Sequence, residues 1–341
     1  MIDLLVVGAG PVGLFTAIEA AQSGLSVRVI EQYEGTIDKA CGEGLMPEAL
    51  ERLAGIGVDP EGIDFFGIRY IAGDRKAEAR FSGGPGRGVR RTILQDSLRK
   101  RASELNVTFV NGRVREIVQG DSFVEAAGIR SKYLIGADGL HSTVREELDL
   151  SGPSRKFQKG HQRFGIRQHF SLPPWSDLVE VYWLSDVEVY VTPVDHQSVG
   201  IAVLGEAILD FNKIISRVPE LAQKLAYAEP ASKLRGAGPL RQPVRARSRG
   251  RVLLVGDAAG YVDALTGEGL RVGFAEAEAA VRAICRNDLL SYEGQWKRIT
   301  RSYRWLAGGL VSASSNRLIR PMIVPAAQAL PSIFSRLINA L

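Results

Sequence analysis

The chain has 341 residues, 45% of them apolar and 24% charged, with a formal net charge of +5; this is the composition of a globular protein too long for one small core, and about two domains are expected. The charge is only mildly basic and no RNA- or DNA-binding signature accompanies it, so nucleic acid is not an expected partner. Cys41 and Cys285 are the only cysteines, too few for a metal cluster or a disulfide framework and in keeping with a reducing cytoplasm.

Leu4 to Val7 read as a buried parallel strand. The run Gly8-Ala9-Gly10-Pro11-Val12-Gly13 turns it into a helix from Pro11 to Ser23, with Leu14, Ala17, Ile18 and Ala21 on one face and Gly24 as the stop. Ser26 to Ile30 is the next strand, closed by Glu31 and followed by Gln32. A helix N-terminus offers free N–H groups to a pyrophosphate. Gly8, Gly10 and Pro11 would border it, Gly10 letting phosphates approach and Gly13 letting helix and strand pack. Glu31 stands at the spacing for a ribose diol and argues against a 2′-phosphate. The chain begins in this strand with no basic leader region, and no apolar stretch reaches the roughly 18 residues that a bilayer-spanning helix needs.

Cys41-Gly42-Glu43-Gly44-Leu45-Met46-Pro47 follows. Cys41 is either a group that touches substrate or tunes a cofactor, or a small buried residue. Glu43 is read as a helix-start carboxylate in preference to an acid catalyst. Residues 64 to 88 supply strands, with Gly83-Gly84-Pro85-Gly86 as a loop. Arg91 heads an amphipathic helix, as a phosphate partner or as a solvated arginine beside Arg90. The strand Tyr133-Leu134-Ile135 leads to Gly136-Ala137-Asp138-Gly139, which places Asp138 and Gly139 on the ligand side of an α/β sheet.

From 151 to 246 the texture changes. Gln162 to Phe170, Val179 to Trp183, Val187 to Val191 and Ser198 to Leu204 read as an antiparallel sheet, with a helical stretch from Leu221 to Tyr227. Tyr190 lines a substrate cavity or is an ordinary sheet tyrosine. The strand Val252 to Val255 then delivers Gly256-Asp257-Ala258-Ala259-Gly260, where Asp257 binds hydroxyls of a ligand or caps a helix. Thr266-Gly267-Glu268-Gly269-Leu270 opens a helix from Arg271 to Arg286. The Gly8–Gly13 turn, Glu31, the Asp138 segment and the Asp257 segment, in this order, point to a large dinucleotide, with FAD the first expectation. No metal-ligand spacing or nucleophilic triad stands out.

The pattern resembles the FAD-dependent monooxygenases of the aromatic-hydroxylase type and their relatives, the geranylgeranyl reductases, over most of the chain. The match is carried by Arg91-Thr92-Ile93-Leu94 with Leu98, by Gly136 through Arg145, and by Arg251 through Ala259. The resemblance implies that Arg91 pairs with a flavin phosphate or polar edge. It implies that Val114, on the strand after Asn111-Gly112, meets adenine, and that Asp138 helps to bind FAD and guides a nicotinamide cofactor. It leaves His141 and Arg145 to order their turn. It implies that Gly267, Glu268, Gly269 and Leu270 bring helix N–H groups to the flavin pyrimidine ring, which becomes anionic on reduction. The Cys41 segment is similar to the C-G-G-G-L of the reductases and to the G-E-S-L-L-P of flavin-dependent halogenases. Tyr190-Val191-Thr192-Pro193 stands where the reductases carry Y-x-W-x-F-P and lacks its tryptophan and phenylalanine. The halogenase W-x-W-x-I-P is absent.

From Gln295 onward there is no acidic residue, but seven basic ones: Lys297, Arg298, Arg301, Arg304, Arg317, Arg320 and Arg336. With apolar residues from Trp305 to Ile338, this tail either rests on an anionic membrane or packs on the body with its arginines solvated. The expected fold is α/β: a Rossmann-like three-layer FAD-binding domain (1–63, 89–150 and 247–295), a β-sheet substrate domain (64–88 and 151–246) and a helical C-terminal tail (296–341). The expected function is an NAD(P)H-dependent flavin monooxygenase, cytoplasmic or peripheral at a membrane, acting on a small apolar or aromatic substrate, with NAD(P)H docking transiently or electrons arriving from a partner. The alternatives are a reductase that saturates an alkene of a prenyl or lipid substrate, then a halogenase, then a non-catalytic flavin-binding protein at a membrane surface.

Overall fold

The computed structural model describes residues 1–152, 162–206 and 209–340. Residues 153–161, 207 and 208, within the stretch read as the substrate domain, and residue 341 of the tail lie outside the described residues. The strand Ile2–Val7 is central to the first sheet, with Val27–Glu31 and then Thr108–Asn111 on one side and Ile129–Gly136 and then Val252–Leu254 on the other, all parallel. Leu4, Leu5 and Val6 are fully buried although alternate residues point to opposite faces, so both faces are covered, as a parallel sheet requires. Helix Pro11–Gln22 packs between Arg91–Glu104 and Gly269–Cys285. Phe15 of the first stacks on Phe274 of the last at 4.4 Å.

The second sheet runs Glu229–Pro230, Phe164–Ser171, Ser198–Gly205, Val187–Asp195, Val179–Trp183, Gly67–Ala72, Arg75–Arg80. The expectation of an antiparallel sheet holds at every join on this path except one: Val179–Trp183 lies parallel to Gly67–Ala72. The chain traverses much of the first sheet between these two strands, which supplies the long connection a parallel pair needs. Residues 64 to 88 also divide. Gly67–Ala72 and Arg75–Arg80 join this sheet, whereas Ile63–Phe65 and Gly86–Gly88 form a small separate sheet with Gly44–Leu45. Gly86 therefore opens a strand and does not belong to the preceding loop.

The C-terminal part is helical: Leu290–Ser315, Ile323–Ala329 and Pro331–Ile338. Val324, Phe334 and Ile338 are buried against the second sheet, and the Phe334 ring lies 4.9 Å from that of Tyr70. Arg320, grouped above with the surface cations, is buried and paired with Glu188 at 2.7 Å. A charge reading counts basic residues but cannot see an internal carboxylate on a distant strand. Trp305, Leu318, Ile319, Met322, Leu330 and Ile333 remain exposed. No helix among the described residues is long and apolar enough to cross a membrane.

Candidate active site

A cavity of 530 Å³ runs from the glycine turn of the first sheet to the inner face of the second. Gly8, Gly10 and Pro11 form its phosphate-side wall. Gly13 is absent from that wall and acts in packing: a Cβ there would stand 2.0 Å from the Gly8 carbonyl oxygen. Helix and strand approach each other more closely than any side chain allows.

Glu31 and Gln32 lie at the cavity's far end. The Glu31 carboxylate accepts the backbone N–H of Ala9 at 2.7 Å and of Tyr33 at 3.0 Å. It is thereby fixed at the mouth of the glycine turn with lone pairs to spare for a diol. Val114 also lines the cavity, but from the loop between strands Thr108–Asn111 and Ile117–Gln119, not from a strand as expected. Gln95 carries no motif of its own in the sequence, although it falls one helical turn after Arg91, on the inward face. It is buried, donates to the Ala9 carbonyl at 2.9 Å and accepts the Ile37 N–H, so it pins the glycine turn.

Asp138 and Gly139 border the cavity opposite Gly8. The Asp138 carboxylate accepts the Ser142 hydroxyl at 2.5 Å and the Val144 N–H at 3.1 Å, and Ser142 caps Arg145 N–H at 3.0 Å. Burial raises the Asp138 pKa against these donors. Arg145 is buried and donates to the carbonyls of Asp257, Ala258 and Leu140, binding the two acidic segments together. His141 lies at the rim. Gly256 and Asp257 form the adjoining wall. Burial raises the Asp257 pKa, while the charges of Arg91, Lys39 and Arg145 oppose the rise. Glu276 holds the Gly256 N–H at 2.7 Å.

Gly267, Gly269 and Leu270 line the cavity. The helix starts at Gly269, two residues earlier than expected; with no side chain, Gly269 and Gly267 let the turn close directly into helix. Glu268 is not in the wall. It is buried on the other side and paired with Arg271, which also reaches Glu48 at 3.0 Å.

Arg91 lines the cavity beside Gly10, at whose position a Cβ would be 3.7 Å from the Arg91 Nη2. Its backbone N–H, the first of helix Arg91–Glu104, donates to Glu43 Oε1 at 2.9 Å. Glu43 is thus a helix-start carboxylate, although of a helix far along the chain. Its other oxygen lies 2.6 Å from His169 Nε2, and Arg167 Nη2 stands 3.6 Å from Oε1. Arg167 also pairs with Asp38. The guanidinium groups of Arg90 and Arg167 approach His169 Nδ1 at 3.4 and 3.3 Å. A guanidinium can only donate, so Nδ1 accepts and Nε2 carries the hydrogen given to Glu43. Glu43 adopts a left-handed φ of 61°, a strain this network offsets. The Cys41 sulfur accepts the Glu43 N–H at 3.4 Å and also lines the cavity. Tyr190 lines it too, donating its hydroxyl to the Leu265 carbonyl at 3.0 Å, and burial pushes its pKa well up. Beyond it the wall is mostly apolar, with Ile68, Val179, Val181, Leu204, Leu240 and Leu265 beside Tyr70 and Thr192. Among the described residues no metal-binding cluster occurs.

This geometry fits a long dinucleotide. The cavity has a side-chain-free phosphate wall, a carboxylate at the ribose end, and Asp257 facing it with no hydrogen bond to its carboxylate among the described residues. Comparison with known proteins agrees. The family model described as FAD binding domain matches residues 1–64 and 108–286. A digeranylgeranylglycerophospholipid reductase of Methanococcus vannielii is 26% identical, with 90% of this chain and 85% of that protein covered. A para-nitrophenol 4-monooxygenase of Pseudomonas sp. is 26% identical over 82% of this chain and 77% of that protein. The crystal structure of a flavoprotein/dehydrogenase from Cytophaga hutchinsonii superposes with a TM-score of 0.79 at 17% identity, covering 99% of this chain and 96% of the other.

Proposed function

Because the chain belongs to the FAD-binding-domain family and is an FAD-dependent oxidoreductase, we propose that it saturates a carbon–carbon double bond in an apolar, prenyl-like or lipid substrate, with NAD(P)H as a transient reductant. The single observation that carries this reading is the cavity beyond the dinucleotide wall. Its surface there is largely aliphatic, and two of its polar side chains, Glu43 and Tyr190, are already engaged. Glu43 is committed to His169 and to the Arg91 N–H, and Tyr190 to Leu265. The Cys41 sulfur accepts the Glu43 N–H and lines the cavity. FAD, when bound, supplies the hydride equivalent. The residues of this chain would hold it through Gly8, Gly10, Pro11, Glu31, Gln32, Arg91, Val114, Asp138, Gly139, Gly256, Asp257, Gly267, Gly269 and Leu270. The apolar wall excludes water and aligns the chain of the substrate.

The reductase named above supports this reading, as does the exposed tail. Leu318, Ile319, Met322 and Ile333 stand out of the body beside Arg317 and Arg336, a surface suited to an anionic membrane where such substrates reside. The second reading, oxygen transfer to an aromatic substrate, is favoured by the para-nitrophenol 4-monooxygenase. One experiment separates them. Anaerobically reduced protein is mixed with a geranylgeranylated lipid, and separately with p-nitrophenol and oxygen, and the products are weighed by mass spectrometry. Gain of hydrogen pairs without oxygen supports reduction. An oxygen-dependent product that carries one atom from isotopically labelled dioxygen, added to the ring or in place of the nitro group with release of nitrite, sinks it.

A further inference from the structure

A second cleft, of 690 Å³, opens behind the wall formed by Gly256, Asp257, Tyr261 and Gly269, residues it shares with the first cavity. Five cations line it: Arg241, Arg247, Lys297, Arg301 and Arg304. Two of these are committed. Arg247 pairs with Glu293 at 3.1 Å and donates to the Ala259 carbonyl, and Lys297 stands 3.9 Å from the same Glu293. The other three are not neutralised. Among the described residues Arg241 and Arg301 make no hydrogen bond or ion pair, and Arg304 has only the ring face of Trp296, 5.2 Å away. Of the carboxylates in the lining, Glu276 is buried and spent on the Gly256 N–H, and Asp257 belongs equally to the first cavity.

Three exposed guanidinium groups that line one cleft without a partner carboxylate repel one another. They also present more donors than one carboxylate can accept. A phosphate, with two negative charges and several oxygens, matches them. The cleft is also large enough for an organic group attached to it. We propose that this cleft binds a phosphorylated small molecule, with its phosphate on Arg241, Arg301 and Arg304 and its uncharged part directed along Tyr261 toward the cofactor cavity. The assignment does not depend on which reaction the flavin performs.

Isothermal titration of the FAD-loaded protein at constant ionic strength tests it, with inorganic pyrophosphate, NADPH and dihexanoyl phosphatidate (below its micelle concentration) as probes. Pyrophosphate is expected to bind one to one. The double variant Arg241→Gln/Arg301→Gln is expected to weaken it by about tenfold or more, the scale of losing charge-assisted contacts, with flavin content and melting temperature unchanged. Arg298→Gln, on the same helix but outside the lining, is expected to change nothing. NADPH or the phosphatidate should bind more tightly than pyrophosphate and lose as much in the double variant; whichever does so identifies a nucleotide or a lipid headgroup as the source. Absence of saturable pyrophosphate binding, an unchanged Kd in the double variant, or no gain in affinity from either organic probe would overturn the proposal.

Discussion

Replacing Glu276 by glutamine is expected to flatten the pH dependence of stability between about pH 5 and pH 8. Glu276 is 1% exposed, and burial raises its pKa from the usual 4.5 to about 8, with the Gly256 N–H and Arg247 opposing the rise and the Asp257 charge adding to it. In the unfolded chain the carboxyl loses its proton near its ordinary value. In the folded protein it keeps the proton until the raised value is passed. Below both values the two states bind the same proton and the group has no differential effect. Between them the unfolded state alone is ionised, so each pH unit favours unfolding by about 1.4 kcal/mol. Over the whole window the loss is about 5 kcal/mol. Above the raised value the loss is complete and the curve levels.

Glutamine is neutral throughout and keeps a carbonyl oxygen for the Gly256 N–H, which Glu276 holds at 2.7 Å. The difference in unfolding free energy between Glu276→Gln and the parent should therefore be small near pH 5 and grow toward about 5 kcal/mol by pH 8. Asp257, also raised by burial, titrates in both proteins and largely cancels in the difference. Urea denaturation at four pH values, followed by far-ultraviolet circular dichroism, reads the quantity directly. Parallel pH curves for the two proteins would refute the assignment of a buried, protonated Glu276. Because Gly256 borders the cofactor cavity, retained flavin absorbance in the parent should fall over the same window.

Two further substitutions separate packing from binding. Gly13→Ala places a Cβ 2.0 Å from the Gly8 oxygen and should cost about 3 kcal/mol or more as backbone is forced apart. In contrast, Gly10→Ala meets nothing nearer than Arg91 Nη2 at 3.7 Å; it should leave the urea midpoint nearly unchanged while lowering flavin affinity, read by titrating apoprotein with FAD. Glu43→Ala leaves the His169 Nε2–H and the Arg91 N–H without their acceptor, while Arg167 keeps Asp38, and should destabilise by about 2–3 kcal/mol. Glu43→Gln, which retains one acceptor, should cost distinctly less in the same denaturation experiment.

How much of the site is legible along the chain depends on how each part of it is built. The dinucleotide half is made of backbone: Gly8 with φ of 106°, Gly267 with φ of 72°, and an acid at the end of a strand. Such features need particular residue types at fixed local spacing, so Glu31, Asp138 and Asp257 are conspicuous in the sequence itself. The boundaries that shift are those set by neighbours. Val114 leaves its expected strand because the chain loops out after Asn111, and Val179–Trp183 finds a parallel partner more than a hundred residues earlier in the chain. The network of Asp38, Glu43, Arg167 and His169 has no signal of its own. Glu43, in the loop before strand Gly44–Leu45, and His169, on strand Phe164–Ser171, lie 126 positions apart, and a buried histidine on an alternating strand looks like any half-buried polar residue.

The same contrast bears on specificity. The apolar end of the cavity is drawn from Ile68, Val181, Leu204 and Leu265, residues of ordinary strand and loop composition whose convergence is a product of sheet register. A change of substrate would need only a few exchanges among them, at positions where no backbone geometry is at stake. Cofactor binding cannot drift in that way, since Gly8 and Gly13 tolerate no side chain. A fold of this construction keeps its coenzyme while its substrate changes, so substrate preference rests with the side chains that line the apolar end of the cavity.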